Sequence, residues 1–233
     1  MIINHLIPEK GHSSFYDRVS NSSFFALFEK IYIFKFEDPK NWPPKIKKVI
    51  KRNYHIDTEY YTPITKKTTN EKITIFSGGL KGRDFEKLIK AVDNRAEIII
   101  LTNSSVKENK NTKILKLNKN LFNIKEIISK SDFSVIPISD TEMNETAGMA
   151  IAFISMAMGK PVLIRKTKYM EEYIKDGVNG FLYNEISELK LKISEIIKKR
   201  EDLPSIGMLA RKTITEKASL DKFAQKLLSQ NTK

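Results

Sequence analysis

The chain has 233 residues, 40% of them hydrophobic and 30% charged, and carries a formal net charge of +13. It has no cysteine, which excludes disulfides, thiolate metal sites and a cysteine nucleophile, and its histidines (His5, His12, His55) are too scattered to build a metal cluster. No apolar run reaches the length of a membrane span, and the N-terminus lacks the charged-then-apolar layout of a signal segment, so a cytoplasmic protein is expected. The basic excess is spread along the chain, and aromatic residues are not interleaved with it as a strand-binding surface requires, so nucleic acid is not an expected partner. Such a Lys-rich surface reads first as biased composition, and second as a face for anionic lipid or a phosphorylated substrate.

In chain order, residues 30–36 read as a strand. Pro43 and Pro44 open a basic amphipathic helix over 45–52, and Tyr60, Tyr61, Thr62 and Pro63 read as an extended linker. From residue 72 the pattern becomes regular. A short β-branched run over 72–76 ends in Ser77, Gly78 and Gly79, and a helix from about residue 83 places Phe85, Leu88, Ile89 and Val92 on one face. Residues 96–101 are nearly continuous in apolar character, as in parallel strands covered on both faces. Thr102, Asn103, Ser104 and Ser105 break that run.

A strand at 114–117, a helix carrying Ile124, Ile127 and Ile128, and a strand at 133–138 follow. A long loop then leads to Thr146, expected to cap a buried helix over 148–158. Residues 161–164 read as a strand, 170–175 as a helix and 180–183 as a strand. Helices are expected over 186–200, 203–217 and 220–228.

Strands alternating with helices predict a parallel sheet with right-handed crossovers, a Rossmann-like α/β fold flanked by helices and preceded by a short N-terminal α/β segment. In such sheets ligands bind beyond the carboxyl ends of the strands. Residues 77–83, 102–105, 138–148 and 165–169 are therefore the ones to inspect. The loop Gly78-Gly79-Leu80-Lys81-Gly82-Arg83 could bring backbone N–H groups, a helix dipole and a guanidinium to a phosphate, although it matches neither the dinucleotide fingerprint nor the Walker A spacing. A tight strand-to-helix turn needs glycine in any case. Thr146, Ala147 and Gly148 lead into the buried helix and would allow close approach to its backbone, and a Thr cap with nothing bound reads equally well. Gly159 with Pro161, and the run Asp176-Gly177-Val178-Asn179-Gly180, read as helix stop and turns.

Four blocks carry a family resemblance. Residues 155–162 (Ser-Met-Ala-Met-Gly-Lys-Pro-Val) resemble the A-M-A-x-G-x-P-V segment of the group 1, retaining GT-B glycosyltransferases. Residues 172–182 (Glu-Tyr-Ile-Lys-Asp-Gly-Val-Asn-Gly-Phe-Leu) resemble their E-x-I-x-D-G-x-N-G-x-L segment. Residues 131–137 resemble the strand entering the donor site, and residues 76–91 resemble the first strand, loop and helix of the donor domain. The blocks occur in order at matching spacing.

The resemblance implies a nucleotide-sugar donor domain over residues 71–233, with residues 1–70 a remnant of the acceptor domain plus linker. It implies a retaining glycosyltransferase, of the hexosyltransferase type if active, working in polysaccharide biosynthesis on an acceptor the sequence does not identify. Donor contacts are expected from Gly78, Gly79, Arg83, Thr102, Asn103, Thr146, Ala147, Gly148 and Met149, with no metal and no cofactor beyond the donor substrate. Expected partners are the nucleotide-sugar, a separate chain supplying the acceptor domain, and an anionic membrane or lipid-linked acceptor at the periphery.

Three departures bear on activity. Aligned on Gly159, the two glutamates of the family fall on Thr146 and Ile154, with Glu145 beside the first place, so no catalytic residue can be named. A divergent branch with S-A-G-Q in this loop is similar to Thr146-Ala147-Gly148-Met149. The phosphate-binding Arg of the family falls on Gly78, and its Lys partner on Arg83. Residues 18–63 resemble only the last strand and linker of an acceptor domain. A non-catalytic or partner-dependent subunit is therefore the alternative reading.

Overall fold

The computed structural model describes residues 31–34, 49–52, 54–64, 72–117, 123–142 and 144–231, the first two segments as backbone alone. Contacts divide the chain into two compact units, Met1–Tyr54 and His55–Lys233. In the first, β1 (Ile31–Phe34) pairs in parallel with β2 (Val49–Arg52), Ile31 opposite Val49. The basic helix expected over 45–52 is therefore corrected at its C-terminal half. Val49 and Ile50 are β-branched, and a parallel partner satisfies their backbone, so strand pairing overrides the helical spacing of the lysines. Pro43, Pro44 and residues 45–48 lie outside the described residues.

The second unit holds a six-stranded, all-parallel sheet. Its strands are β3 (Thr74–Gly78), β4 (Glu97–Leu101), β5 (Thr112–Leu115), β6 (Phe133–Ile136), β7 (Val162–Arg165) and β8 (Phe181–Tyr183), in the spatial order β5-β4-β3-β6-β7-β8. The inner strands β3 and β6 are buried at every position, matching their unbroken apolar or small-residue sequence. The edge strand β5 is only partly covered, with exposed Lys113 after buried Thr112 and half-buried Ile114 and Leu115.

The helices are α1 (Phe85–Val92), α2 (Ile124–Ser129), α3 (Met149–Ala157), α4 (Lys168–Glu171), α5 (Leu189–Lys198), α6 (Leu203–Ala218) and α7 (Leu220–Asn231). Alternate strand residues sort onto two faces. On one, Ile75, Ile98, Ile100, Phe133, Val135 and Leu163 pack with Phe85, Leu88 and Val92 of α1 and Leu189, Ile193 and Ile196 of α5. On the other lies α3, which is apolar nearly all round because it is enclosed between the sheet and α6. There the Ser134 hydroxyl of β6 donates to Ser155 of α3 at 2.8 Å.

Helix boundaries follow local caps. Asp84 accepts from the Lys87 N–H at 2.9 Å, so α1 starts at Phe85, just beyond the expected position. Thr167 accepts from Met170 N–H at 3.1 Å, so α4 starts and ends earlier than the 170–175 expected. Asn179 then folds the chain back, accepting from Lys175 N–H at 2.7 Å and donating to Tyr173 O at 2.9 Å.

The linker expected to be extended over 60–63 starts in a turn at 58–60, where Asp57 Oδ1 accepts from Glu59 N–H at 3.0 Å and from Tyr60 N–H at 2.8 Å. The segment is also tied to α6, where the Arg211 guanidinium donates to the carbonyls of Tyr61 (2.9 Å), Thr58 (3.3 Å) and Ala157. Ile56 also bridges Ser219, with Ile56 N–H donating to Ala218 O at 2.9 Å and Leu220 N–H to Ile56 O at 3.0 Å. Among the described residues no helix is long and apolar enough to cross a membrane.

Thr146 is not the cap of α3. Gly148 occupies that place with φ +86°, and the Thr146 hydroxyl instead donates to Asn144 Oδ1 at 2.8 Å. A Cβ at residue 148 would stand 2.7 Å from Ile136 Cγ2 and 3.1 Å from Ile138 Cδ1. Neither threonine nor any other L-residue fits there without moving the end of β6. Gly148→Ala is therefore expected to cost roughly 2–5 kcal/mol, backbone strain plus overpacking. Gly177→Ala, also at positive φ but with nothing within 4 Å of the added Cβ, is expected to cost only about 1–2 kcal/mol. Urea unfolding of both variants measures the difference; equal losses would refute the packing argument.

Candidate functional site

β3 has β4 on one side and β6 on the other, so the chain runs outward to β5 and then returns to the opposite flank of β3. This reversal is the topological switch point, where loops leaving adjacent strands diverge and open a crevice at the carboxyl ends. The loops concerned are residues 79–84 after β3 and 137–148 after β6. They are strapped together by an antiparallel bridge of Arg83 with Ile138. Asp84 N–H donates to Pro137 O at 2.8 Å, and Ser139 N–H donates to Gly82 O at 3.0 Å.

The structure brings the sequence-predicted residues to this one end of the sheet in different roles. Gly78 is buried as the last residue of β3, against Leu101 O and Ile151 of α3. Gly79 N–H is taken by Leu101 O at 3.1 Å, so that amide is spoken for. Among the described residues the N–H groups of Leu80, Lys81, Gly82 and Gly148 have no protein acceptor. Thr102 is fully buried, and its hydroxyl donates to Gly79 O at 2.7 Å and accepts from Ser104 N–H at 3.1 Å; it holds the glycine turn from beneath. Asn103 is exposed beside it. Thr146 and Ala147 are half-buried in the turn before α3, while Met149 is buried as its first residue. Ile154, the other place aligned with a family glutamate, is buried within α3.

Arg83 is half-buried, and its side chain folds back over the turn. A Cβ on Gly79 would lie 2.9 Å from Arg83 Nε. Its Nη1 donates to Lys81 O at 3.0 Å and, at a long 3.5 Å, to Gly82 O. Its buried Nε has no hydrogen-bond partner among the described residues. Burial lowers the Arg83 guanidinium below its usual value, and Arg165 lowers it further, against the opposing influence of Tyr183 and Glu142.

Three residues outside the predicted donor set complete this end of the sheet. Arg165, the last residue of β7, donates from Nη1 to Ser139 O at 3.0 Å. Tyr183, the last residue of β8, reaches under β7. Its hydroxyl accepts from Ile138 N–H at 2.6 Å and donates to Ile136 O at 3.0 Å. Glu142 accepts from Asn144 N–H at 2.9 Å and lies over Gly82. Their sequence signal was position alone. Each ends a strand or sits in a loop at the carboxyl edge, and nothing in the motif around Arg165 or Tyr183 marks it.

The topology assigns this unit to the Rossmann-like α/β class. Within that class, the family model for group 1 glycosyl transferases matches residues 57–213, and the chain belongs to that family. A comparison with curated proteins by sequence gives no match. Among solved structures, the chain is similar to Anabaena HepE in complex with UDP and glucose (16% identity, TM-score 0.72), covering 99% of this chain and 70% of that one. It is also similar to a sucrose-phosphate synthase from Thermosynechococcus elongatus (10% identity, TM-score 0.66), covering 87% of this chain and 57% of the synthase. The C-terminal domain of a group 1 glycosyl transferase, LpcC from Francisella tularensis, aligns over 99% of its own length and 71% of this chain (15% identity, TM-score 0.54). The chain thus spans little more than half of the synthase, and these likenesses establish the GT-B Rossmann-like fold.

Tyr183 provides a test of how the β6 loop is held. Phe in its place removes the hydroxyl from both Ile138 N–H and Ile136 O, which keep only their 3.0 Å bond to each other, a loss of about 1–3 kcal/mol. Burial pushes the Tyr183 hydroxyl above its ordinary value. A folded-state value above the unfolded one means that stability is fully present below the unfolded value of about 10 and declines as pH rises beyond it. Urea unfolding between about pH 8 and 11 is expected to show a steeper loss in wild type than in Tyr183→Phe; parallel curves would refute it.

Proposed function

We propose that this chain is the donor-binding part of a glycosyltransferase that moves a sugar from a nucleotide-sugar to an acceptor, with retention of configuration and without a metal ion. The observation that carries the reading is the Arg83 side chain, laid across the glycine turn at the switch point with its buried Nε unpartnered. A buried unpaired guanidinium N–H is costly unless an acceptor meets it, and a phosphate oxygen is the acceptor a guanidinium matches best. Family membership and the likeness to HepE, whose crystal structure contains UDP and glucose, support the same ligand class.

In this mechanism negative charge builds on the departing diphosphate as the sugar–oxygen bond breaks. Arg83 would stabilise that charge, assisted by the open N–H groups of Leu80, Lys81 and Gly82 and by Gly148 at the positive end of α3. Donors held in place before reaction need no reorganisation as charge develops. The expected surroundings are cytoplasmic, in the synthesis of a polysaccharide, with the acceptor presented on an anionic membrane or lipid carrier.

A second reading, a partner-dependent or non-catalytic subunit, is favoured by Thr146 and Ile154. Neither offers a carboxylate at the places the family resemblance assigns to glutamates, and Ile154 is sealed in the helix.

Titration calorimetry with UDP-glucose and a panel of other nucleotide-sugars tests the first reading. Wild type is expected to bind one of them, and Arg83→Ala to weaken it by about tenfold to a hundredfold, the loss of a charged hydrogen bond. Unchanged affinity would remove Arg83 from the site. Silence of wild type across the panel would favour the second reading.

A further inference from the structure

We propose that Arg165 is a second, direct ligand of the donor diphosphate, so that the crevice grips both phosphates from two sides; this rests on the donor-binding reading above. The geometry begins at one residue. Ser139 N–H donates to Gly82 O at 3.0 Å, and Ser139 O accepts from Arg165 Nη1 at 3.0 Å. Gly82 O also receives Arg83 Nη1 at 3.5 Å. The two guanidiniums therefore hang on opposite ends of a single Gly82–Ser139 strap, one entering from the β3 loop and the other from the end of β7.

Neither guanidinium forms an ion pair among the described residues. The acidic groups facing this place are few. Glu142 lies over Gly82, where it accepts from Asn144 N–H, and Asp140 accepts from Ile186 N–H at 3.1 Å. Each carboxylate accepts from a backbone amide, and neither forms an ion pair with a guanidinium among the described residues. Two half-buried cations within mutual repulsion would spread apart or recruit a carboxylate unless something else neutralised them. The strap prevents the first, and of the second the loops supply only Glu142, which offsets part of the Arg83 charge without pairing with it. An anion of two or more charges, wide enough to touch both guanidiniums, is the ligand that relieves this arrangement, and a nucleoside diphosphate has that charge and span.

The alternative role for Arg165 is purely structural, as a tie to Ser139 O. Two substitutions separate the roles. Arg165→Gln removes the charge and ends two bonds short of the Nη1 that ties to Ser139 O, whereas Arg165→Lys keeps the charge. Calorimetry is done on the full chain with UDP, GDP and ADP, and with the monophosphate of whichever diphosphate binds wild type.

Arg165→Gln is expected to weaken the diphosphate by about tenfold or more and the monophosphate by less than about threefold, while Arg165→Lys retains most of the affinity. Exposed Lys175→Gln, an equal change in net charge, is expected to leave both affinities unchanged. Equal losses for the two nucleotides with Arg165→Gln, or no loss, would overturn the proposal while leaving the donor site standing if Arg83→Ala still weakens binding. If wild type binds no diphosphate, both readings fall together.

Discussion

The pairing of β3 with β6 is the constraint on which the rest of this unit depends. Residues Ile75 and Phe76 lie beside Phe133 and Ser134, although β4 and β5 intervene in the chain. That one parallel contact puts the two loop exits next to each other and makes the switch point. The strap from Gly82 and Asp84 to Ser139 and Pro137 then continues the pairing past the strand ends. A parallel ladder would ordinarily finish at Ile136. Here the backbone keeps bonding across the mouth of the crevice, and among the described residues the amides of Leu80, Lys81 and Gly82 are left without a protein acceptor.

The strap also explains why buried residues line a place expected to meet a ligand. Thr102 and Tyr183 are buried and spend their hydroxyls on Gly79 and on Ile136 and Ile138. They fix the position of turns whose other face is open. Such second-layer support is what allows a loop to present charge with little reorganisation. Arg83 and Arg165 are held by carbonyls for the same reason, since a carbonyl orients a guanidinium without cancelling its charge.

The opposite end of the sheet is built differently. There Lys160 donates to the carbonyls of Ser129 and Ser131, and Asp132 accepts from Thr74 N–H at 2.7 Å. Burial lowers the Lys160 ammonium, with Asp132 acting in the opposite direction. These contacts close strand entrances and leave no diverging loops. The asymmetry between a closed amino edge and an open carboxyl edge follows from connectivity, because every crossover in a parallel sheet must begin at the carboxyl edge.

Much of the architecture was legible along the chain. Short apolar runs such as residues 97–101 and 133–136, interrupted by helix-period segments, have one good solution, a parallel sheet covered on both faces. The family blocks around Gly159 and Asn179 were legible because their residues have local work: a helix stop, and a turn closed by Asn179 onto Lys175 and Tyr173. Local periodicity misled at residues 49–52, where a strand partner outweighed helical spacing, and at Thr146, where packing against Ile136 admits only Gly148 as the cap.

The site was legible as a set of loop addresses, not as a constellation. Sequence by itself determined the fold class, the carboxyl-edge location and the candidacy of Arg83, because these rest on periodicity and on residues adjacent in the chain. Only the tertiary structure decided that β6 lies against β3, that Thr102 supports rather than faces the crevice, and that Arg165 shares a backbone strap with Arg83. Those facts join residues from about twenty to about eighty positions apart, and no local preference of either partner encodes the pairing.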